Sequence, residues 1–141
     1  MSQTLAIIKP DATGNGKAGK ILAHLEDEGF TVRAIRMVRL TRAQAEAFYE
    51  VHRGRPFYEE LVEFMTSGPC IPLALEADDA VSRLREVIGA TDPTEAEEGT
   101  IRKLYAESKG RNAIHASDSD ENAARETSFF FPEAERIGSG R

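Results

Sequence analysis

One cysteine, Cys70, and no tryptophan occur in the 141 residues. A single thiol excludes an intrachain disulfide framework and fits a reducing cytoplasm. Within its apolar run Cys70 reads more readily as a small buried hydrophobe than as a catalytic thiol. No apolar run approaches the roughly 18 residues of a membrane span, and Met1 to Lys9 has no basic region leading into a long apolar segment. Neither a membrane span nor a cleaved secretory signal is expected. Linkers, repeats and low-complexity tracts are also lacking, so a single domain over 1–141 is expected. Positive charge is in the minority, with 18 Lys and Arg against 24 Asp and Glu and a net charge of −6. That balance opposes a general nucleic-acid surface or binding to an anionic membrane. It leaves room for a local cationic pocket, because Lys9, Arg53, Arg55, Arg85, Arg102, Lys103, Lys109 and Arg111 are scattered through the chain. Convergence of several would suit phosphates.

What is present alternates strands and helices. Thr4 to Ile8 is a strand stopped by Lys9 and Pro10, and Asp11 to Gly16 reads as a polar loop. Ala18, Ile21, Leu22 and Leu25 recur at helical spacing, predicting a helix over 17–28 that ends at Gly29. Phe30 to Leu40 is a second strand, and Thr41 caps a helix with Ala45, Phe48 and Tyr49 on one side. After a basic turn at His52 to Pro56, Phe57, Leu61, Phe64 and Met65 form one face of a further helix. Cys70 to Leu75 is an apolar strand that Pro72 assigns to an edge or irregular position. Asp78 or Asp79 caps a helix carrying Leu84, and 89–111 is a long connection, expected to be a structured lobe with a helical turn near Pro93 to Glu97. Ala113 to His115 supplies a last short strand, followed by a helix over 118–128, the anchor Phe129 to Phe131, and an extended or mobile Gly138 to Gly140 tail. This order predicts an α/β chain of the α+β sandwich type. Its expected core is ferredoxin-like, a four-stranded antiparallel sheet covered by helices.

The chemistry concentrates in Arg111 to Asp120, where a histidine ends an apolar segment just before a helix start. Ser117 can cap that helix with Asp120 at its third position, and Asp118 and Ser119 are further cap options. His115 there either presents one ring nitrogen to a cleft while a neighbour such as Glu126 holds the other, or satisfies a local hydrogen bond. Tyr49 and Phe57 read either as core aromatics or as cleft walls, and His52 beside Arg53 and Arg55 is an anion-binding clue. Gly14, Gly16 and Gly19 match dinucleotide spacing, while Gly14, Gly19 and Lys20 match most of a P-loop. Ile21 stands where the P-loop needs Ser or Thr, and the following strand ends without an acidic residue, so a surface turn is favoured.

Ile8 to Asp11, Arg55 to Phe57, Gly99 to Arg102, the set Asn112, His115, Ser117, Asp118 and Ser119, and Phe129 to Phe131 occur in an order that resembles the nucleoside diphosphate kinase family over almost the whole chain. The resemblance implies transfer of the terminal phosphoryl group between nucleoside triphosphates and diphosphates through a phosphohistidine. It makes His115 the nucleophile, Glu126 its orienting carboxylate and Lys9 a phosphate stabiliser. It assigns Lys9, Tyr49, His52, Leu61, Arg85, Thr91, Arg102 and Asn112 to the nucleotide's phosphates and sugar or their surroundings, with Phe57 stacking on the base. ATP, GTP and other nucleotides are the implied partners. Mg²⁺ would arrive on the nucleotide phosphates rather than in a protein cage, and a homo-oligomer built from dimers is implied.

Three positions depart from the family pattern. Ala116 stands where glycine is usual, and a Cβ would be strained there if the backbone needs a positive φ. Asp92 replaces a common Asn before Pro93, and Lys109 sits where the other side of the base is often lined by an apolar residue. Two rival readings remain at this level: a P-loop phosphotransferase using Gly14 to Lys20, and a catalytically silent nucleotide binder.

Overall fold

The computed structural model describes residues 1–137, so the expected Gly138 to Gly140 tail lies outside the described residues. Four strands, β1 (Ser2–Ile8), β2 (Thr31–Ile35), β3 (Ile71–Ala77) and β4 (Ile114–Ala116), form one sheet in the order β2-β3-β1-β4. All three pairings are antiparallel. The sheet is packed by α2 (Ala18–Asp27), α3 (Arg42–Phe48), α4 (Tyr58–Met65), α5 (Ala80–Ile88) and α7 (Asp120–Phe130). Short helices α1 (Pro10–Gly14), α6 (Ile101–Tyr105) and α8 (Glu133–Arg136), with a 3-10 turn at Glu50–His52, complete the described elements.

The two-residue period of a strand explains why helices cover both faces. Ala6 and Ile8 enter one core with Ile21, Leu25 and Leu84, while Leu5 and Ile7 enter the other with Phe48, Val62 and Met65. In β4, Ile114 and Ala116 go to the first core. His115 between them therefore faces the second, opposite Ile7.

Several local expectations are corrected. Asp11 to Gly14 belongs to helix α1, opened by Pro10 at a position where its missing N–H costs nothing. Gly19 and Lys20 lie within α2 with Lys20 exposed, so the glycine pattern forms no phosphate-cradling loop. Strand β2 stops at Ile35, and β3 is an interior strand despite Pro72. In an extended chain a residue's N and O point the same way, and Pro72 O accepts from Arg36 N–H on the β2 side. The absent N–H thus falls where the β2 ladder lapses. The buried side of α4 is Tyr58, Val62 and Met65, leaving Phe57 45% exposed. Phe129 and Phe130 form the last turn of α7, and the expected hydrophobic anchor is carried by buried Phe130 and Phe131, with Phe129 37% exposed. The 89–111 connection contains α6 and a turn at Pro93 to Glu95. Gly89 opens that connection at φ +88°, where a Cβ would lie 2.6 Å from Thr100 Oγ1.

Candidate active site

His115 is delivered by β4 and met by α7. Its Nε2 lies 2.7 Å from Glu126 Oε1, and the same oxygen accepts the Ser117 hydroxyl at 2.8 Å. A carboxylate only accepts, so Nε2 carries the ring proton and Nδ1 keeps its lone pair. Both side chains are largely buried, 18% and 12% exposed. Phe48 and Tyr49 press their rings against the imidazole at 5.4 and 6.1 Å between centroids, near perpendicular. Residues 115 and 117 share a face of an extended segment, which is why Ser117 reaches Glu126 rather than capping the helix. The cap is Ser119, whose hydroxyl accepts the Asn122 N–H.

A cationic group stands at the end of β1, against the turn that leads into β4. Lys9 follows β1 directly, is buried, and donates from Nζ to Asn112 Oδ1 at 2.9 Å. Burial, then the nearby Arg102 charge, lowers the amine from 10.5 to about 8, against a raising effect of Asp11. Arg102, on α6, donates to Gly89 O at 3.1 Å and to Ile114 O at 2.7 Å, placing its guanidinium at the backbone next to His115. Burial, with Arg85 nearby, lowers it to about 10. Arg85, Thr91 and Arg102 line a cavity of about 900 Å³ between α5 and the 89–100 segment, which Glu28, Glu86, Glu95, Glu97 and Glu98 also line and which neither His115 nor Lys9 reaches.

Among the described residues, Tyr49 Oη and Arg102 Nε are buried polar atoms of this site that find no protein partner. Such groups carry a penalty of about 1–3 kcal/mol unless a ligand or water satisfies them. Burial drives the Tyr49 hydroxyl's titration far above its ordinary range, so it stays a neutral donor. His52 stacks on Tyr49 at 6.3 Å and meets Phe57 at 5.2 Å. Burial, Arg55 and His115 lower its pKa, in that order. His52 and exposed Phe57 form an aromatic shelf leading from the histidine to solvent, with half-buried Leu61 one turn along α4.

The strained backbone lies at Ala113, with φ +74°, rather than at Ala116. A residue with a Cβ held there costs about 1–3 kcal/mol. The Ile114 N–H donates to Asn112 O at 2.9 Å, closing a γ-turn around it. Ala116 is an ordinary strand residue opposite Ala6, so its Cβ introduces no backbone strain. Asp92 turns on itself, accepting from Thr94 N–H and Oγ1 at 2.9 and 2.8 Å. Lys109 is exposed, and its carbonyl accepts from Asn112 Nδ2.

Sequence reading did not single out Ser117 as a partner of Glu126, Phe48 as a wall of the imidazole, or Asp11, whose carboxylate accepts the Ala113 N–H at 3.0 Å. The i, i+2 spacing from His115 was an available signal for Ser117. For Asp11 there was none, because its partner is 102 residues away.

The nucleoside diphosphate kinase family profile matches residues 2–136. A nucleoside diphosphate kinase of Chlorobium chlorochromatii is 55% identical over 139 residues, covering 99% of each chain. One from Sorangium cellulosum is 56% identical over 131 residues, covering 93% of this chain and 91% of its own. Among solved structures, the Aquifex aeolicus nucleoside diphosphate kinase superposes with a TM-score of 0.94 at 49% identity, covering 96% of this chain and 99% of its own. A halophilic nucleoside diphosphate kinase from Halobacterium salinarum in complex with CDP superposes at 0.93 with 34% identity, over 99% of this chain and 93% of its own. By its fold and by sequence along nearly its whole length, the chain belongs to the nucleoside diphosphate kinase family.

Proposed function

We propose that His115 is the phosphoryl carrier through which this nucleoside diphosphate kinase moves the terminal phosphoryl group of a triphosphate to a diphosphate in a ping-pong exchange. The Nδ1 lone pair attacks the γ-phosphorus, the bond to the bridging oxygen breaks, and the diphosphate leaves with that electron pair. The second half-reaction reverses these bonds on another diphosphate. Glu126 holds the Nε2 proton and offsets the positive charge that grows on the ring. Lys9, Arg85 and Arg102 offset charge on the phosphate oxygens. Phe57 stacks on the base without reading its edge, which supports use of ATP, GTP and other nucleotides, with His52, Leu61, Thr91, Tyr49 and Asn112 completing the nucleotide's surroundings.

Mg²⁺ travels on the nucleotide's phosphates in this reading. Among the described residues no group of three or more His, Cys, Asp or Glu is placed to hold a metal ion. The charged groups proposed for the phosphates, Lys9, Arg85 and Arg102, are cationic. Bound to the phosphates, the ion supplies further charge neutralisation. No helix among the described residues is long and apolar enough to cross a membrane. The lone free thiol, Cys70, supports a cytoplasmic, reducing setting. Exposed Ile35 and Met37 by the edge strand β2 support a homo-oligomer built from dimers.

The observation that carries the proposal is the 2.7 Å contact that engages Nε2 and leaves Nδ1 free. Incubation with Mg-ATP labelled at its terminal phosphate is expected to give acid-labile, alkali-stable label that moves to added GDP. His115→Ala abolishes it, while Lys20→Ala leaves it unchanged. Exchange that survives His115→Ala and fails in Lys20→Ala would establish the P-loop route instead.

A further inference from the structure

The turn that precedes His115 has an unusual support. Among the described residues only Asp79 and Ala113 are non-glycine residues with positive φ. Asp79 is the N-cap of α5, where its carbonyl accepts the Arg83 N–H at 2.9 Å and the next amide, Ala80 N–H, donates to Ser2 Oγ at 3.0 Å. Ala113 is held from the other end of the chain. Asp11 Oδ2 accepts its N–H at 3.0 Å, and the Lys9 N–H donates to its carbonyl at 2.9 Å. Asp11 is itself 4% exposed, and its second oxygen, Oδ1, has no partner among the described residues. A buried carboxylate fixed by so few bonds is an expensive way to satisfy one amide, which points to a role beyond folding.

The consequences of the turn lie in the cleft. Reversal at Ala113 aims Asn112 back at Lys9 Nζ and sends Ile114 forward, where its carbonyl meets Arg102 and its successor is His115. We infer that Asp11 is a positioning residue for phosphoryl transfer, its carboxylate clamping the left-handed turn at Ala113 that joins Asn112, Lys9 and the strand bearing His115. This rests on the reading of His115 as carrier. The charge of the same carboxylate opposes the neutralisation of Lys9. Arg102 from α6 faces that amine with like charge, Asn112 meets it as a neutral acceptor, and β4 beside it carries His115 with its Glu126 partner from α7. Asp11 from α1 is the acid that raises it.

The test compares Asp11→Asn, Asp11→Ala, Ala113→Gly and the double variant Asp11→Ala/Ala113→Gly, in single-turnover phosphorylation by labelled Mg-ATP across pH. Asp11→Ala is expected to slow labelling of His115 about tenfold or more, in the maximal rate rather than in nucleotide affinity. Glycine accepts φ +74° without strain, so the clamp matters less there, and Asp11→Ala costs at least threefold less in the Ala113→Gly background. Asp11→Asn keeps an acceptor oxygen but loses the charge, so its alkaline limb moves down by about one pH unit while most of the rate remains. An Asp11→Ala rate within twofold of wild type, an equal loss in both backgrounds, or an unmoved alkaline limb in Asp11→Asn overturns the inference. Absence of label on wild-type His115 would instead overturn the carrier reading, so the two failures are distinguishable.

Discussion

Replacing Glu126 with alanine tests the electrostatic core of the mechanism. The substitution removes the acceptor of two bonds, one from His115 Nε2 at 2.7 Å and one from the Ser117 hydroxyl at 2.8 Å, both in surroundings largely closed to water. A hydrogen bond to a charged partner contributes about 1.5–3 kcal/mol. The bond to His115 strengthens as the ring becomes positive, so its loss falls on the transition state and slows phosphorylation about 10- to 150-fold. Glu126→Gln retains an oxygen that accepts from Nε2 and sacrifices only charge, placing it near the lower end of that range. Ser117→Ala removes a second bond to the same charged oxygen but leaves the histidine contact intact, and because that bond is already made before the ring becomes positive, only part of its worth falls on the transition state, a loss of about fivefold. Quench-flow measurement of phosphohistidine at saturating labelled Mg-ATP, normalised to folded protein by circular dichroism, reads all three. Phosphorylation of Glu126→Ala within twofold of wild type would refute the reasoning, because the proton on Nε2 would then need no holder.

Three further outcomes follow from the geometry. Lys9→Met is expected to abolish transfer yet stabilise the fold near pH 7. Lowering the amine from 10.5 to about 8 corresponds to about 3 kcal/mol against the charged form, partly offset by about 1 kcal/mol for the orphaned Asn112 oxygen. Between those pH values the unfolded chain binds more protons, so wild-type stability gains from this group as pH rises, and the advantage of Lys9→Met shrinks across the same window in urea titrations. Ala116→Gly should leave the exchange rate within threefold and cost about 0.5–1 kcal/mol of stability, since an ordinary strand residue gains nothing from glycine; a large rise in rate would contradict the unstrained backbone at 116. Phe57→Ala should raise the apparent KM for every nucleotide about tenfold with kcat little changed, from loss of base stacking worth about 1–3 kcal/mol; a base-selective effect would show that the ring does more than stack.

Sequence alone determined what depends on near neighbours and on ordered motifs. The apolar run through Thr4 to Ile8, stopped by Lys9 and Pro10, declares a strand, helical stripes such as Ile21, Leu22 and Leu25 declare what covers it, and together they carry the four-stranded antiparallel sheet. The ordered segments around Lys9, Arg102 and His115 carry the family. Tertiary structure decided the rest, because each remaining feature hangs on contacts between distant parts of the chain. Pro72 is tolerated inside the sheet only because its missing donor falls where β2 lets go. Ser117 abandons capping because α7 brings Glu126 within reach. Phe57 is an exposed shelf because α4 buries Tyr58, Val62 and Met65 instead. The left-handed turn falls at Ala113 and not at Ala116 because Asp11 waits there from the opposite end of the sequence, a pairing no local pattern encodes.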